Sequence, residues 1–140
     1  MIGLVVVSHG QFARELIAAA EHVVGPQPGI KAICIGPDDD MEERRDDIKR
    51  AVEEAGGGKG AIILTDMFGG TPSNLAIAVM GKTGGEVIAG VNLPMLIKLA
   101  PVSFREKSTI EEAVSAAYEA GRKYIRVASW ELTGRKEDDA

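Results

Sequence analysis

The sequence is short of cysteine, aromatic residues and long apolar runs, and each shortage excludes a class of protein. Cys34, the single cysteine, cannot form an internal disulfide, and its apolar setting in IKAICIG indicates a packed thiol on a buried strand rather than a nucleophile. Aromatic residues make up 4% of the chain while glycine and alanine are frequent, which favours helices on a sheet over an all-β sandwich. No apolar run reaches the roughly 18–20 residues that span a bilayer. The start of the chain also lacks the basic flank and cleavage site of a signal peptide, so we expect a cytoplasmic protein.

Positive charge is also scarce, since 16 lysines and arginines face 21 aspartates and glutamates, for a net charge of −5. Without a basic stripe to neutralise phosphates, we expect no nucleic-acid partner. At 140 residues and 45% hydrophobic content, the chain is long enough to bury the core of one globular domain. We predict that this domain spans residues 1–130 and that a polar tail spans residues 131–140.

Short aliphatic runs alternate along the chain with longer stretches of helical periodicity. Strands are predicted at 2–7, 30–35, 61–66 and 86–90, with a fifth, edge strand at 124–129. Helices are predicted between them at 12–24, 38–58, 73–82 and 109–121, the last opened by a Thr109–Glu112 capping box. This alternation predicts an α/β fold in which helices cover both faces of an open, mostly parallel sheet.

Two loops are placed where such sheets bind ligands, beyond the carboxyl ends of strands and near the reversal of strand order. The first contains Ser8, His9 and Gly10, directly after the first strand. The second, TDMFGGTPSN (65–74), follows the third strand. The other histidine, His22, falls inside the first predicted helix, where we expect a surface residue.

The second loop has the composition of an anion-binding turn. Its glycines permit positive φ and close backbone approach, Thr71 is a good N-cap, and Pro72 suits the first helical position. Free backbone N–H groups at such a helix start, with nearby hydroxyls, favour an anion. The candidate phosphate-binding residues are Gly69, Gly70, Thr71 and Ser73. By itself the loop is equally compatible with a well-capped helix that binds nothing.

Together, the two loops bring a histidine and a carboxylate to the same edge of the sheet. A hydrogen bond from one imidazole nitrogen of His9 to Asp66 would fix the tautomer and leave the other nitrogen nucleophilic. Beside an anion cradle, this pair suits a phosphoryl group arriving on histidine. A Ser8–His9–Asp66 hydrolase triad is disfavoured, because adjacent residues poorly supply nucleophile and base and no G-x-S-x-G elbow is present.

Three segments in order carry a family resemblance: VVVSHG at the first strand end, LTDMFGGTPSN after the third, and VIAGVNLPML, which ends at residue 96. Over residues 2–127 the chain resembles the enzyme IIA domain of the mannose-family sugar phosphotransferase systems of bacteria. The resemblance implies that His9 is the phosphorylated histidine and that Asp66 orients and polarises it. It also implies four parallel strands plus an antiparallel fifth, YIRVAS, exchanged between the subunits of a homodimer.

The resemblance further implies the partners. His9 would accept phosphate from the histidine phosphocarrier protein and pass it to a histidine of a IIB component, with no metal or cofactor. Because the sequence stops soon after the IIA region, we expect it to serve a separate IIB partner in sugar uptake, or a regulatory target. The candidate docking residues around the pocket are Phe68, Met67, Met95 and Phe12, of which Phe12 is the one most readily explained as core.

Three other interpretations remain open at this point. Small tetrapyrrole metal chelatases also run from an aliphatic first strand into His-Gly, but they need further ligands, and His22 is not at a strand end. A dimeric sensor could bind a phosphorylated ligand in the same loops without forming phosphohistidine. The phosphocarrier subunit of dihydroxyacetone kinases shares the fold, although the GGTP turn and GVNLPML favour the mannose type.

Overall fold

The structure, a computed structural model, describes residues 1–56 and 58–134, and for residues 82 and 83 only the backbone. Four strands form one parallel sheet in the order β2-β1-β3-β4. Their bounds are β1 Gly3–His9, β2 Ile30–Ile35, β3 Ala61–Thr65 and β4 Glu86–Ala89. The prediction of an α/β fold around a parallel sheet is confirmed.

Helices cover both faces of the sheet, so its two central strands are apolar on both sides. Leu4 and Val6 of β1 point into one core, with α1, α4 and α6, while Val5 and Val7 point into the other, with α2 and α3. A strand buried on both faces reads as a continuous aliphatic run, which explains LVVV and AIIL. The helices are α1 Phe12–Val24, α2 Met41–Gly56, α3 Thr71–Thr83, α4 Leu93–Leu99, α5 Val102–Lys107, α6 Ile110–Lys123 and α7 Ala128–Thr133.

The capping box predicted at the start of the last long helix is present. The Thr109 hydroxyl accepts the Glu112 backbone N–H at 3.1 Å, and the Glu112 carboxylate accepts the Thr109 N–H at 3.0 Å. The predicted buried setting of Cys34 is wrong, because β2 is an edge strand and the thiol is only partly buried. Helix α2 is also shorter than predicted, since Asp40 accepts the N–H of Glu42 and the helix begins at Met41.

The predicted fifth strand at 124–129 is not formed in this single chain. Residues 125–127 carry no regular structure, and helix α7 already begins at Ala128. A strand exists only where an edge accepts its hydrogen bonds, and none of the described strands pairs with this segment. The described part of the predicted polar tail includes the last residues of α7, while residues 135–140 lie outside the described residues.

Arg105 holds together the amino-terminal edge of the sheet, a role that the sequence gave no reason to expect. Its side chain is fully buried and donates to the carbonyls of Ala100, Ile2 and Pro28 at 2.7–3.2 Å. Burial lowers the pKa of this guanidinium, but the carbonyl oxygens around it satisfy its donors. The clamp joins α5 to the start of β1, the strand that carries His9 at its other end.

None of the helices in the described ranges combines the length and the apolar character needed to cross a membrane.

Candidate active site

The strand order reverses between β1 and β3, so their carboxyl ends form the switch point of the sheet. The chain passes from β1 outward to β2 on one side, and from β3 outward to β4 on the other. The helices that follow β1 and β3 therefore diverge, which leaves a crevice above the two strand ends. His9 is the last residue of β1 and Asp66 directly follows β3, so the fold brings the two predicted residues together.

Asp66 holds His9 by two hydrogen bonds. Its Oδ2 atom lies 2.8 Å from His9 Nδ1 and also accepts the His9 backbone N–H at 2.8 Å. The other carboxylate oxygen, Oδ1, accepts the backbone N–H of Met67 at 3.0 Å. A carboxylate only accepts hydrogen bonds, so this contact assigns the proton to Nδ1 and the lone pair to Nε2. The His9 side chain is 52% exposed and that of Asp66 17%, so the nucleophilic edge faces solvent and the carboxylate lies behind it.

The surroundings of Asp66 keep it ionised at neutral pH. Burial acts to raise the pKa of this carboxyl, but the His9 backbone N–H, the His9 ring and the Met67 N–H together hold the pKa below its ordinary value of 3.8. Hydrogen bonds to the charged form stabilise it, and here they outweigh desolvation. The acceptor for Nδ1–H is therefore a full negative charge.

Gly70 gives the imidazole its place. A Cβ at this position would lie 2.8 Å from His9 Cε1 and 3.2 Å from Nε2, so any larger residue would push the ring away. Gly70 is also the N-cap of α3, in extended conformation, so Nε2 lies beside the amino end of that helix. Gly69 adopts φ +91°, a conformation that glycine allows at little cost.

The start of α3 differs by one residue from the prediction. Thr71 is the first helical residue rather than the N-cap, and Pro72 follows it. Within the described residues, the backbone N–H groups of Gly69, Gly70 and Thr71 have no acceptor, as is usual for the first turn of a helix. Those donors and the helix dipole suit an anion beside Nε2.

The two predicted hydroxyls occupy different places. Thr71 is exposed and lines a cavity of about 210 Å³ next to His9. The other walls of this cavity are Gly10, Ile35, Gly36, Pro37 and Met41. Ser73 is fully buried, and its Oγ has no hydrogen-bond partner among the described residues. Thr71 is thus placed to reach a group on His9, whereas Ser73 lies beneath the surface.

The predicted docking residues divide in the same way. Phe68 is 78% exposed, Met67 55% and Phe12 43%, and all three lie on or next to the loops that carry His9 and Asp66. The prediction for Met95 is wrong, because this side chain is buried in the core and packs against Gly121. Helix α4, capped by Asn92, turns Met95 inward, which the sequence interpretation as a loop did not anticipate.

Three residues that support the site were not predicted. Ser8 Oγ accepts the Ala13 N–H at 2.7 Å, which caps α1, and donates to the His9 carbonyl at 3.1 Å. The Thr65 carbonyl accepts the N–H groups of residues 90 and 91, both at 2.9 Å, and ties the end of β3 to the end of β4. Asn92 Nδ2 donates to the Gly121 carbonyl and so links that end to α6. The only sequence signal was a hydroxyl residue just before a helix.

Within the described ranges, no three His, Cys, Asp or Glu side chains cluster closely enough to hold a metal ion. The chemistry that the site can perform with its own groups is nucleophilic attack by Nε2 of a neutral imidazole. The carboxylate behind the ring stabilises positive charge on it, and the amides of the α3 terminus stabilise negative charge on what is attacked.

The chain is similar in sequence and in structure to a defined set of bacterial proteins. The EIIA-man family model, described as PTS system fructose IIA component, matches residues 3–118. The mannose-specific EIIAB component of Escherichia coli K12 is 32% identical over 126 residues, which cover 89% of this chain and 39% of that protein. The sorbose-specific EIIA component of Lacticaseibacillus casei is 30% identical over 138 residues, which cover 97% of this chain and 98% of that protein.

The fold agrees with this similarity. Phosphotransferase system component EIIA from Streptococcus agalactiae matches with a TM-score of 0.82 and 25% identity, over 92% of this chain and 98% of that one. The chain spans about two fifths of the length of the E. coli EIIAB protein, but nearly all of the L. casei EIIA component.

Proposed function

The chain belongs to the mannose-type enzyme IIA family of the phosphotransferase system, and from this premise we propose that His9 is a transient carrier of a phosphoryl group. The donor is the phosphorylated histidine of the histidine phosphocarrier protein, and the acceptor is a histidine of a IIB component or a regulatory target. The observation that carries the proposal is the 2.8 Å contact between Nδ1 and Asp66, which leaves Nε2 unprotonated and turned to solvent.

In the proposed step, the Nε2 lone pair of His9 attacks the phosphorus atom on the donor histidine. The new N–P bond forms as the donor N–P bond breaks, and the donor imidazole leaves with the bonding electron pair. No proton has to move between the rings, because Nδ1–H of His9 stays hydrogen-bonded to Asp66. The ring becomes positively charged, and the carboxylate stabilises that charge. The transfer depends on positioning and electrostatics, and the proposed chemistry requires no cofactor.

The amino end of α3 supplies the complementary charge. The transferred phosphoryl group would lie beside Gly70, where the N–H groups of Gly69, Gly70 and Thr71 are available as donors. The Thr71 hydroxyl is the side-chain donor closest to hand, because it lines the same cavity as His9. Buried Ser73 serves the local packing of α3 in this proposal, with its hydroxyl held behind the N–H groups.

The partner proteins would approach the exposed apolar residues that surround His9. Phe12, Met67 and Phe68 rim the site, and apolar residues of this kind are typical anchors of protein interfaces. Such a relay places the chain in the cytoplasm, the compartment of its proposed phosphodonor. The names of the relatives include mannose and sorbose systems, which supports sugar uptake or its regulation as the process served.

We also propose that the chain works as a homodimer in which residues 124–127 of one copy pair with β4 of the other. The outer edge of β4 pairs with no strand in the described part of the chain, and a free edge readily accepts another strand. Ile125 and Val127 are 66% and 41% exposed in the single chain, which is a large exposure for apolar side chains next to a free edge.

The test is a phosphorylation assay with intact-mass detection. Incubation with phosphoenolpyruvate, enzyme I and the histidine phosphocarrier should add the mass of one phosphoryl group, and this modification should be labile in acid and stable in base. His9→Ala should abolish it. His22→Ala is the matched control, because His22 is an exposed histidine on α1 and should leave the modification intact. A chain that binds phosphate without becoming covalently modified would instead be a sensor module.

A further inference from the structure

A groove of about 710 Å³ runs along the free edge of β4 and reaches the active-site loop. Its floor is β4 together with residues 84 and 85, and its wall is the outer face of α6. The apolar side chains that line it are Phe68, Val87, Ile88, Ile110, Val114 and Tyr118. Phe68 is the one among them that belongs to the loop between β3 and α3. The groove and the site therefore share one residue.

Phe68 stands between the two residues of that loop that hold the imidazole. Asp66 is two positions before it and binds Nδ1, and Gly70 is two positions after it and contacts the ring. In the single chain the Phe68 side chain is 78% exposed, so packing does little to fix it. Any segment that fills the groove would cover Phe68, restrain this short loop, and so restrain Asp66 and Gly70.

The occupant that fits the groove is the segment 124–127 of a second copy. It has four residues, as does β4, and Val127 is in extended conformation. In a strand, Ile125 and Val127 point to the same face, where they would meet Ile110 and Val114. The charges are complementary as well. Glu86 and Glu111 line the groove, whereas Arg126 lies in the segment, held only by an exposed 3.1 Å pair with Glu131 that is easily exchanged.

We propose that the active site is completed by the partner subunit: its segment 124–127 covers Phe68, and dimerisation and His9 phosphorylation are thereby linked. This proposal rests on the homodimer described under the proposed function, and adds that the monomer is a poor phosphoryl acceptor. Linkage is reciprocal, so phosphorylation of His9 tightens the dimer to the same extent that dimerisation favours phosphorylation. Phe68 is then a positioning residue, which acts through Asp66 and Gly70.

The test begins with Ile125→Asp, an exposed position whose change leaves the core of its own chain untouched. We expect this variant to sediment as a monomer at concentrations where the wild type is a dimer. Its rate of phosphorylation by the phosphorylated phosphocarrier should fall roughly tenfold or more, because a loosened loop misplaces the imidazole. Addition of excess His9→Ala chain should restore the rate, because that chain supplies an intact segment 124–127 to the groove of the variant. Damage confined to the variant's own fold would not be rescued in this way.

Phe68→Ala and Met67→Ala form a matched pair on the same loop. Met67 is also exposed but does not line the groove, so Met67→Ala should leave the dimer dissociation constant unchanged. Phe68→Ala should weaken the dimer roughly tenfold, and it should not be rescued by His9→Ala chain. Phe68→Trp should retain both dimer and rate, since a larger aromatic ring still fills the groove.

The outcomes separate the two levels of the proposal. Ile125→Asp that is monomeric yet phosphorylated at the wild-type rate would overturn the linkage and leave the relay intact. Phe68→Ala that dimerises normally but binds the phosphocarrier weakly would assign Phe68 to partner docking instead, and would also overturn it. A wild-type chain that is never phosphorylated on His9 would refute the proposed function itself.

Discussion

Replacing Asp66 by asparagine removes the charge behind His9 while keeping the size of the side chain, and it tests the mechanism most directly. In the wild type, Oδ2 accepts both the His9 backbone N–H and Nδ1–H at 2.8 Å. Asparagine has one accepting oxygen and one donating NH2 group. If the oxygen keeps the backbone N–H, the NH2 faces Nδ1, and the imidazole proton must move to Nε2. That is the atom whose lone pair attacks phosphorus.

The expected loss follows from this geometry. A hydrogen bond to a charged group contributes about 1.5–3 kcal/mol, and each 1.4 kcal/mol in the barrier is a factor of ten. Loss of the charge alone therefore slows transfer by about 10- to 150-fold. A full change of tautomer raises the loss toward about 10⁴-fold, the scale found when a catalytic histidine loses its carboxylate partner.

Rapid-quench measurement of single-turnover transfer from the phosphorylated phosphocarrier gives this rate. Asp46→Asn, at an exposed carboxylate on α2, is the control and should transfer at the wild-type rate. Far-UV circular dichroism establishes that both variants are folded. If folded Asp66→Asn accepts phosphate within twofold of the wild-type rate, the carboxylate does not set the tautomer and the mechanism is wrong.

Three further predictions concern the support of the site. Gly70→Ala places a methyl group 2.8 Å from His9 Cε1 and should slow transfer roughly 10- to 100-fold; its thermal midpoint should stay near that of the wild type, and an unchanged rate would contradict the packing described. Arg105→Met leaves three buried carbonyls without their donor and should lower the free energy of unfolding in urea by about 3–5 kcal/mol; a loss below about 1 kcal/mol would mean that the clamp is dispensable. Because the pKa of Asp66 is lowered in the folded chain, its contribution to stability is complete above the unfolded pKa and is lost as pH falls through the folded value. Between about pH 5 and pH 2, the wild type should thus lose more unfolding free energy than Asp66→Asn, and parallel losses would show that the shift is absent.

The central strands and the two site loops could be predicted because local physics determines them. β1 and β3 are buried on both faces, and this makes their residues uniformly aliphatic whatever the partner elements are. The capping box at Thr109 is equally local, since it joins residues three apart. His9 and Asp66 could be paired from the sequence because parallel strands deliver their carboxyl ends to one edge of the sheet.

Other features depended on neighbours that are distant in the chain. Met95 is an apolar residue after a proline, and the sequence alone does not distinguish docking from core. Helix α6 decides it, because Gly121 leaves room for the Met95 side chain. Arg105 looked like one more surface charge, yet the carbonyls of residues 2, 28 and 100 converge around it. The segment 124–129 has the alternation of a strand, but a strand also needs an edge to pair with.

The sequence by itself determined the order of strands and helices and which residues end β1 and β3, since hydrophobic periodicity and turn chemistry act over a few residues. Only the tertiary structure decided that Oδ2 of Asp66 meets both N–H groups of His9, that the ring lies on Gly70, and that Phe68 reaches the β4 groove. These contacts join residues up to 57 positions apart. Their distances are set by how α3, β1 and β4 pack on one another, which no local pattern records.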